Sequence, residues 1–201
     1  VRELASREEF VTAYTPYQAE MSQGILQSIF EYQTAICNLT GMDASNASHY
    51  DGATATADGI LMCMGNKSKA VVSDGLNPEY KRVIETYLVP HGIEVVYAPL
   101  RNGVTDEDAL EKLIDSEVGA VCIAQPNYFG LIEDAGKIGR IAHDGGAKFV
   151  MACYPVALGI LRTPGECDAD VATGEGQSLG LPLAFGGPYL GLLACKENTV
   201  S

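Results

Sequence analysis

Two short segments carry residue types that could handle an anion. The first, YDGATATADG (50–59), places Asp51 where a helix cap belongs and follows it with Gly52, Ala53 and Thr54. Small residues at a helix start leave backbone N–H groups open, and the positive end of the helix dipole favours a negative group there. An ordinary capped helix is the competing reading. The second, GEGQSLG (174–180), spaces its glycines as G-x-G-x-x-x-G. That is one residue longer than the dinucleotide fingerprint, and no helical continuation follows, so a nicotinamide site is not supported.

Other chemistries lack a pattern. No Walker A sequence, H-E-x-x-H or G-x-S-x-G occurs, and His49, His91 and His143 share no metal-ligand spacing. No metal site is expected. The six cysteines lie far apart with no C-x-x-C pair, several within apolar runs such as AVCIA and LLACK. They read as reduced, buried small hydrophobes in a reducing compartment.

Composition narrows the class further. A formal net charge of -13 with only 13 Lys and Arg among 201 residues argues against nucleic acid and anionic membrane surfaces as partners. No run of about 18 apolar residues exists, and no basic-then-apolar leader is present, so a cytoplasmic protein is expected. A start at Val1 and a stop just after YLGLLACKENTV suggest a piece of a longer chain, with residues 1–201 as a single domain.

The elements that would position these segments follow from periodicity. Residues 1–20 mix charge with Tyr and Pro and read as an extended lead-in. Ile25, Ile29, Tyr32 and Ile36 recur at helical steps over 21–39, and Gly52 to Met64 opens a second, Ala-rich helix. Apolar runs at 70–73, 93–98, 120–125, 148–154 and 170–174 then alternate with helical stretches at 77–90, 106–116 and 133–143. Such alternation predicts an α/β fold, a mostly parallel sheet with helices on both faces. The run 189–196 returns through a Gly- and Pro-rich loop too short for a crossover helix, which predicts one antiparallel strand. In open sheets of this kind the ligand crevice lies beyond the carboxyl ends of the strands, after Ser73, Gln125, Tyr154 and Gly174.

Four segments, TAYTPYQAEMSQGILQSIFEYQTAICNLTGMD, ASHYDGATATADG, QPNYFGLIED and GEGQSLGLPLAFGGPYLGLLA, resemble successive signatures of the glycine cleavage P-protein family, in its amino-terminal half or first subunit. The likeness runs over nearly the whole chain. It implies a fold type I pyridoxal-phosphate-dependent transferase-like large domain. It also implies an α2β2 heterotetramer that decarboxylates glycine and passes the aminomethyl group to the lipoyl arm of H-protein.

The family's catalytic half carries a lysine that bonds the cofactor. By that resemblance the lysine would fall on the loop after 170–174, where this chain has Gln177 and Ser178, and no lysine lies between 149 and 195. The acid that meets the cofactor's pyridine nitrogen would fall at the end of 148–154, where this chain has Tyr154, no carboxylate at neutral pH. The expectation is a subunit with no catalytic residue of its own and a vestigial pocket around Gly52, Ala53, Thr54, Tyr154, Gln177 and Ser178. Pyridoxal phosphate would be held by the lysine-bearing second subunit.

Tyr14, Tyr17 and Gln18 are candidates for completing the partner's site, since tyrosines supply hydroxyls and rigid apolar area; packing on the domain's own edge competes. The loop 174–188, with Leu179, Leu181, Leu183 and Phe185, would be a sticky patch if exposed alone. Burial against a partner, or under the chain's own remaining part, accounts for it. A different class of function stays open, a scaffold or regulatory domain of the same fold binding another small molecule.

Overall fold

The computed structural model of the protein describes residues 2–12, 15 and 23–199. In chain order its elements are α1 (Arg2–Ala5), α2 (Glu8–Val11), α3 (Gln23–Thr40), β1 (Ala44–Ser45), α4 (Gly52–Met64), β2 (Lys69–Ser73), α5 (Pro78–Leu88), β3 (Glu94–Ala98), β4 (Leu100–Arg101) and β5 (Val104–Thr105). They continue with α6 (Glu107–Leu113), β6 (Val118–Gln125), α7 (Ala135–Asp144), β7 (Lys148–Cys153), β8 (Val171–Glu175) and β9 (Gly191–Cys195).

Seven strands form one sheet in the order β1-β9-β8-β7-β6-β2-β3. The pairs from β3 through β8 are parallel, and β9 runs against both β8 and β1, which makes it the single strand of opposite direction. The expected α/β architecture is therefore present. Burial explains the near-continuous apolar strands: β6 and β7 are covered on both faces. Val121, Ile123, Phe149 and Met151 face a core with residues of α3, α6 and α7, while Ala120, Cys122, Val150 and Ala152 face one with α4 and α5.

Besides the short strand β1, two features differ from the sequence reading. The amino-terminal segment, expected to be extended, contains the one-turn helices α1 and α2. A small two-stranded unit, β4 and β5, adds an antiparallel pair beside the main sheet. Its turn is Asn102-Gly103 with φ of 56° and 83°, the left-handed pair that a tight hairpin requires.

Helix α4 lies directly across the sheet because its facing residues are small. A Cβ on Gly59 would stand 2.9 Å from the Thr173 methyl and 3.1 Å from Val171, so only glycine permits this approach. Thr56 Oγ1 pairs with Thr173 Oγ1 at 2.9 Å, both buried. This contact fixes α4, one turn after its start, against the middle of β8.

Candidate functional site

The close seating of α4 brings its first turn to the carboxyl edge of the parallel strands. A cavity of about 210 Å³ opens there, lined by Leu76, Asn77, Tyr80, Asn127, Tyr154 and Glu175 among others. Its floor is the ends of β6, β7 and β8, through Ala124, Ala152, Cys153 and Gly174. The crevice therefore sits where an open parallel sheet places one.

The α4 start is a complete capping box. Asp51 Oδ1 accepts from the Thr54 amide at 2.8 Å, and Thr54 Oγ1 accepts from the Asp51 amide at 3.3 Å. The amide of Gly52 donates to Glu175 Oε2 at 2.9 Å. Glu175 Oε1 also accepts from the amides of Gln177, at 2.9 Å, and Leu190, at 3.0 Å. The helix is capped, and an anionic group stands at its start. The anion is the chain's own carboxylate.

Tyr80 closes this corner. A Cβ on Gly52 would overlap the Tyr80 hydroxyl and lie 2.9 Å from the Glu175 amide, so the position admits glycine alone. Burial first, and then the negative charges of Glu175 and Asp51, push the Tyr80 hydroxyl well above its ordinary value, so it stays neutral and can donate.

Tyr154 follows β7, half exposed, with its amide donating to Gln125 O at 3.1 Å and its ring on the cavity wall. Gln177 and Ser178 fall in a single 3-10 turn after β8. Gln177 Nε2 reaches Pro182 O at 3.3 Å, tying its side chain to the following loop, and Ser178 is exposed. Of the expected pocket residues Tyr154 lines the cavity, Gly52 and Gln177 are joined to it through their amide bonds to Glu175, and Ala53, Thr54 and Ser178 are not on its wall. Tyr14, Tyr17 and Gln18 lie outside the described residues.

No lysine lines the cavity. Lys148 starts β7 at the opposite edge and pairs with Asp170 at 2.9 Å. Lys81 pairs with Asp74 at 2.6 Å and stands over the Tyr97 ring. Among the described residues no cluster of three His, Cys, Asp or Glu could hold a metal ion, and no helix is long and apolar enough to cross a membrane. A cofactor with a phosphate and a reactive aldehyde fits these residues poorly: no primary amine faces the cavity, no acid follows β7, and the anion seat is filled.

Glu175, Tyr80 and Asn127 escaped the reading of the sequence. Glu175 was legible as an acid directly at a strand end beside glycines, but its contact with Gly52 spans 123 residues. Asn127 follows the cis Gln125-Pro126 peptide and bonds Gly103 O at 2.8 Å.

Residues 1–201 match the family model described as glycine cleavage system P-protein. The chain is 53% identical over its whole length to "Probable glycine dehydrogenase (decarboxylating) subunit 1" of Desulfitobacterium hafniense, and covers 45% of that protein. It is 52% identical to the protein of the same name from Desulforamulus reducens, with 98% of this chain and 45% of the relative covered. A crystal structure of glycine decarboxylase (P-protein) of the glycine cleavage system, in inhibitor-bound form, superposes with a TM-score of 0.92 at 47% identity, covering 99% of this chain and 45% of that one. A sphingosine-1-phosphate lyase from Burkholderia pseudomallei, at 13% identity and a TM-score of 0.71 over 92% of this chain and 48% of its own, shares the fold. The chain spans about half the length of the relatives it matches, and it belongs to the glycine cleavage system P-protein family.

Proposed function

We propose that this chain is the large-domain part of the non-catalytic subunit of a two-subunit glycine decarboxylase of the glycine cleavage system, working in the cytoplasm. A lysine-bearing second subunit holds pyridoxal phosphate. The assembly decarboxylates glycine and delivers the aminomethyl group to the lipoyl group of H-protein. The single observation that carries the reading is the cavity at the carboxyl edge of the sheet. It presents Tyr154 and Glu175 and no lysine, so it lacks the primary amine that covalent attachment of the cofactor needs.

Its contribution is then structural. The loop after β8 exposes Leu183 at 81% and Phe185 fully, beside half-exposed Leu179 and Tyr189. An apolar group of this kind gains from being covered by the other subunit, and Tyr14, Tyr17 and Gln18 are proposed to complete the partner's site. The test is release of the glycine carboxyl carbon as carbon dioxide, in the presence of lipoylated H-protein, by each full-length subunit alone and by the two together. Activity only in the mixture supports the reading. Turnover by this subunit alone contradicts it.

A further inference from the structure

The Glu175 carboxylate is the meeting point of three backbone amides from three separate parts of the chain: the first turn of α4, the 3-10 turn after β8, and the residue before β9. No ion pair to Glu175 occurs among the described residues. What compensates the charge is N–H groups and the helix dipole, the same arrangement that takes up a free oxyanion. The seat is also shaped: Gly52 lacks the Cβ that would collide with the Tyr80 hydroxyl, and Gly176 lacks one that would stand 2.9 Å from Leu192. A second carboxylate, Asp51, occupies the Thr54 amide at the same helix end. An incoming phosphate would meet two like charges and find the Gly52 and Thr54 amides already engaged.

We propose that Glu175 is a built-in anion. It fills an oxyanion seat at the rim of the cavity, keeps phosphate monoesters out of it, and fastens the apolar loop 177–190 to α4 in one conformation. This deepens the reading of the chain as the half without the cofactor, yet it is tested without lysine chemistry. A pyridoxyl-lysine on this chain would sink the parent reading, whereas the anion response below judges the plug alone.

The experiment uses the full-length subunit assembled with its partner, as wild type and as Glu175→Ala. Melting temperatures are followed during titration with acetate and, separately, inorganic phosphate, with chloride holding ionic strength constant. The expected result is a destabilised variant that regains part of the loss saturably with either anion, while the wild-type assembly does not respond. A variant that regains nothing, or a wild type that responds equally, overturns the proposal. Should the Ala variant fail to assemble, Glu175→Gln decides. Its amide must face at least one of the three N–H donors, so peptides containing Gly52 or Leu190 are expected to exchange amide hydrogens faster by on the order of tenfold, the loss of one charge-assisted hydrogen bond. Unchanged exchange in both peptides overturns it.

Discussion

The Glu133 carboxylate, 5% exposed, accepts from Asn127 Nδ2 at 2.9 Å across the loop that follows β6. Its other oxygen accepts from the Thr105 amide at 2.9 Å, and the Gln125 side chain pairs with both the Glu133 amide and its carbonyl. One buried acid thus ties β6, the β4–β5 hairpin and the 126–132 loop together. That loop presents Tyr128 and Phe129, edge to face at 5.7 Å and more than half exposed, beside the cavity. Rigid support beneath exposed aromatics is what a preorganised contact surface needs.

Replacing that acid should therefore unsettle a whole corner. Glu133→Gln turns an acceptor into a donor facing an N–H, and is expected to cost about 1–3 kcal/mol, read as a lowered urea midpoint. An unchanged midpoint would mean the network contributes nothing measurable.

Asp170 links the other edge of the sheet. It is 4% exposed and accepts from the Phe149 amide at 2.8 Å, from Lys148 Nζ at 2.9 Å and pairs with His143 at 2.7 Å. Burial alone would raise its pKa; the Phe149 amide, Lys148 and His143 outweigh that and hold it below the ordinary carboxylate value. A depressed folded-state pKa adds stability above the unfolded value of about 4, and that stability is lost as pH falls through the folded value. Asp170→Asn is expected to cost about 1–3 kcal/mol at neutral pH, because a buried acceptor of charge-assisted bonds is replaced by a group that is part donor, and to flatten the acid limb of a plot of stability against pH. A variant with the wild-type acid limb would remove Asp170 from this role.

The seating of α4 can be weighed through Ile60, which is fully buried between the helix and the sheet. Ile60→Ala leaves a cavity and should cost about 2–5 kcal/mol. A loss below about 1 kcal/mol, measured by chemical unfolding, would mean that this layer collapses freely around the gap.

How much of this was legible beforehand depends on the range of the interactions involved. The cap of α4 could be read because Asp51 and Thr54 are three residues apart, and the reversed direction of β9 because the preceding loop leaves no room for a helix. The hairpin at 100–105 left a local signal, Asn102-Gly103, which its two-residue strands made easy to pass over. β1 left none: Ala44 and Ser45 are strand only because they pair with Cys195 and Ala194. The site divides the same way. Gly52 and Tyr154 stand out from their neighbours in sequence, whereas the plug at Gly52 requires Glu175 to arrive from the far end of the chain.

The exposed loop offers a direct probe of the shared surface. Leu183→Asp combined with Phe185→Asp should leave the chain's own stability within about 0.5 kcal/mol, since both side chains face out. The same pair of changes should weaken association with the second subunit by at least about tenfold, the scale of one apolar anchor lost from an interface. Sedimentation of the mixed full-length subunits reads both species. Undiminished assembly would place this loop elsewhere.

The most direct test of the central claim is borohydride fixation. The full-length subunit alone is incubated with pyridoxal phosphate, reduced, digested and searched for a pyridoxyl group on lysine. No single lysine of residues 1–201 is expected to be modified stoichiometrically, whereas a lysine of the partner subunit treated in the same way is. A stoichiometric pyridoxyl group on one lysine of this chain, with the matching visible absorbance before reduction, would contradict it and assign the cofactor chemistry to this half.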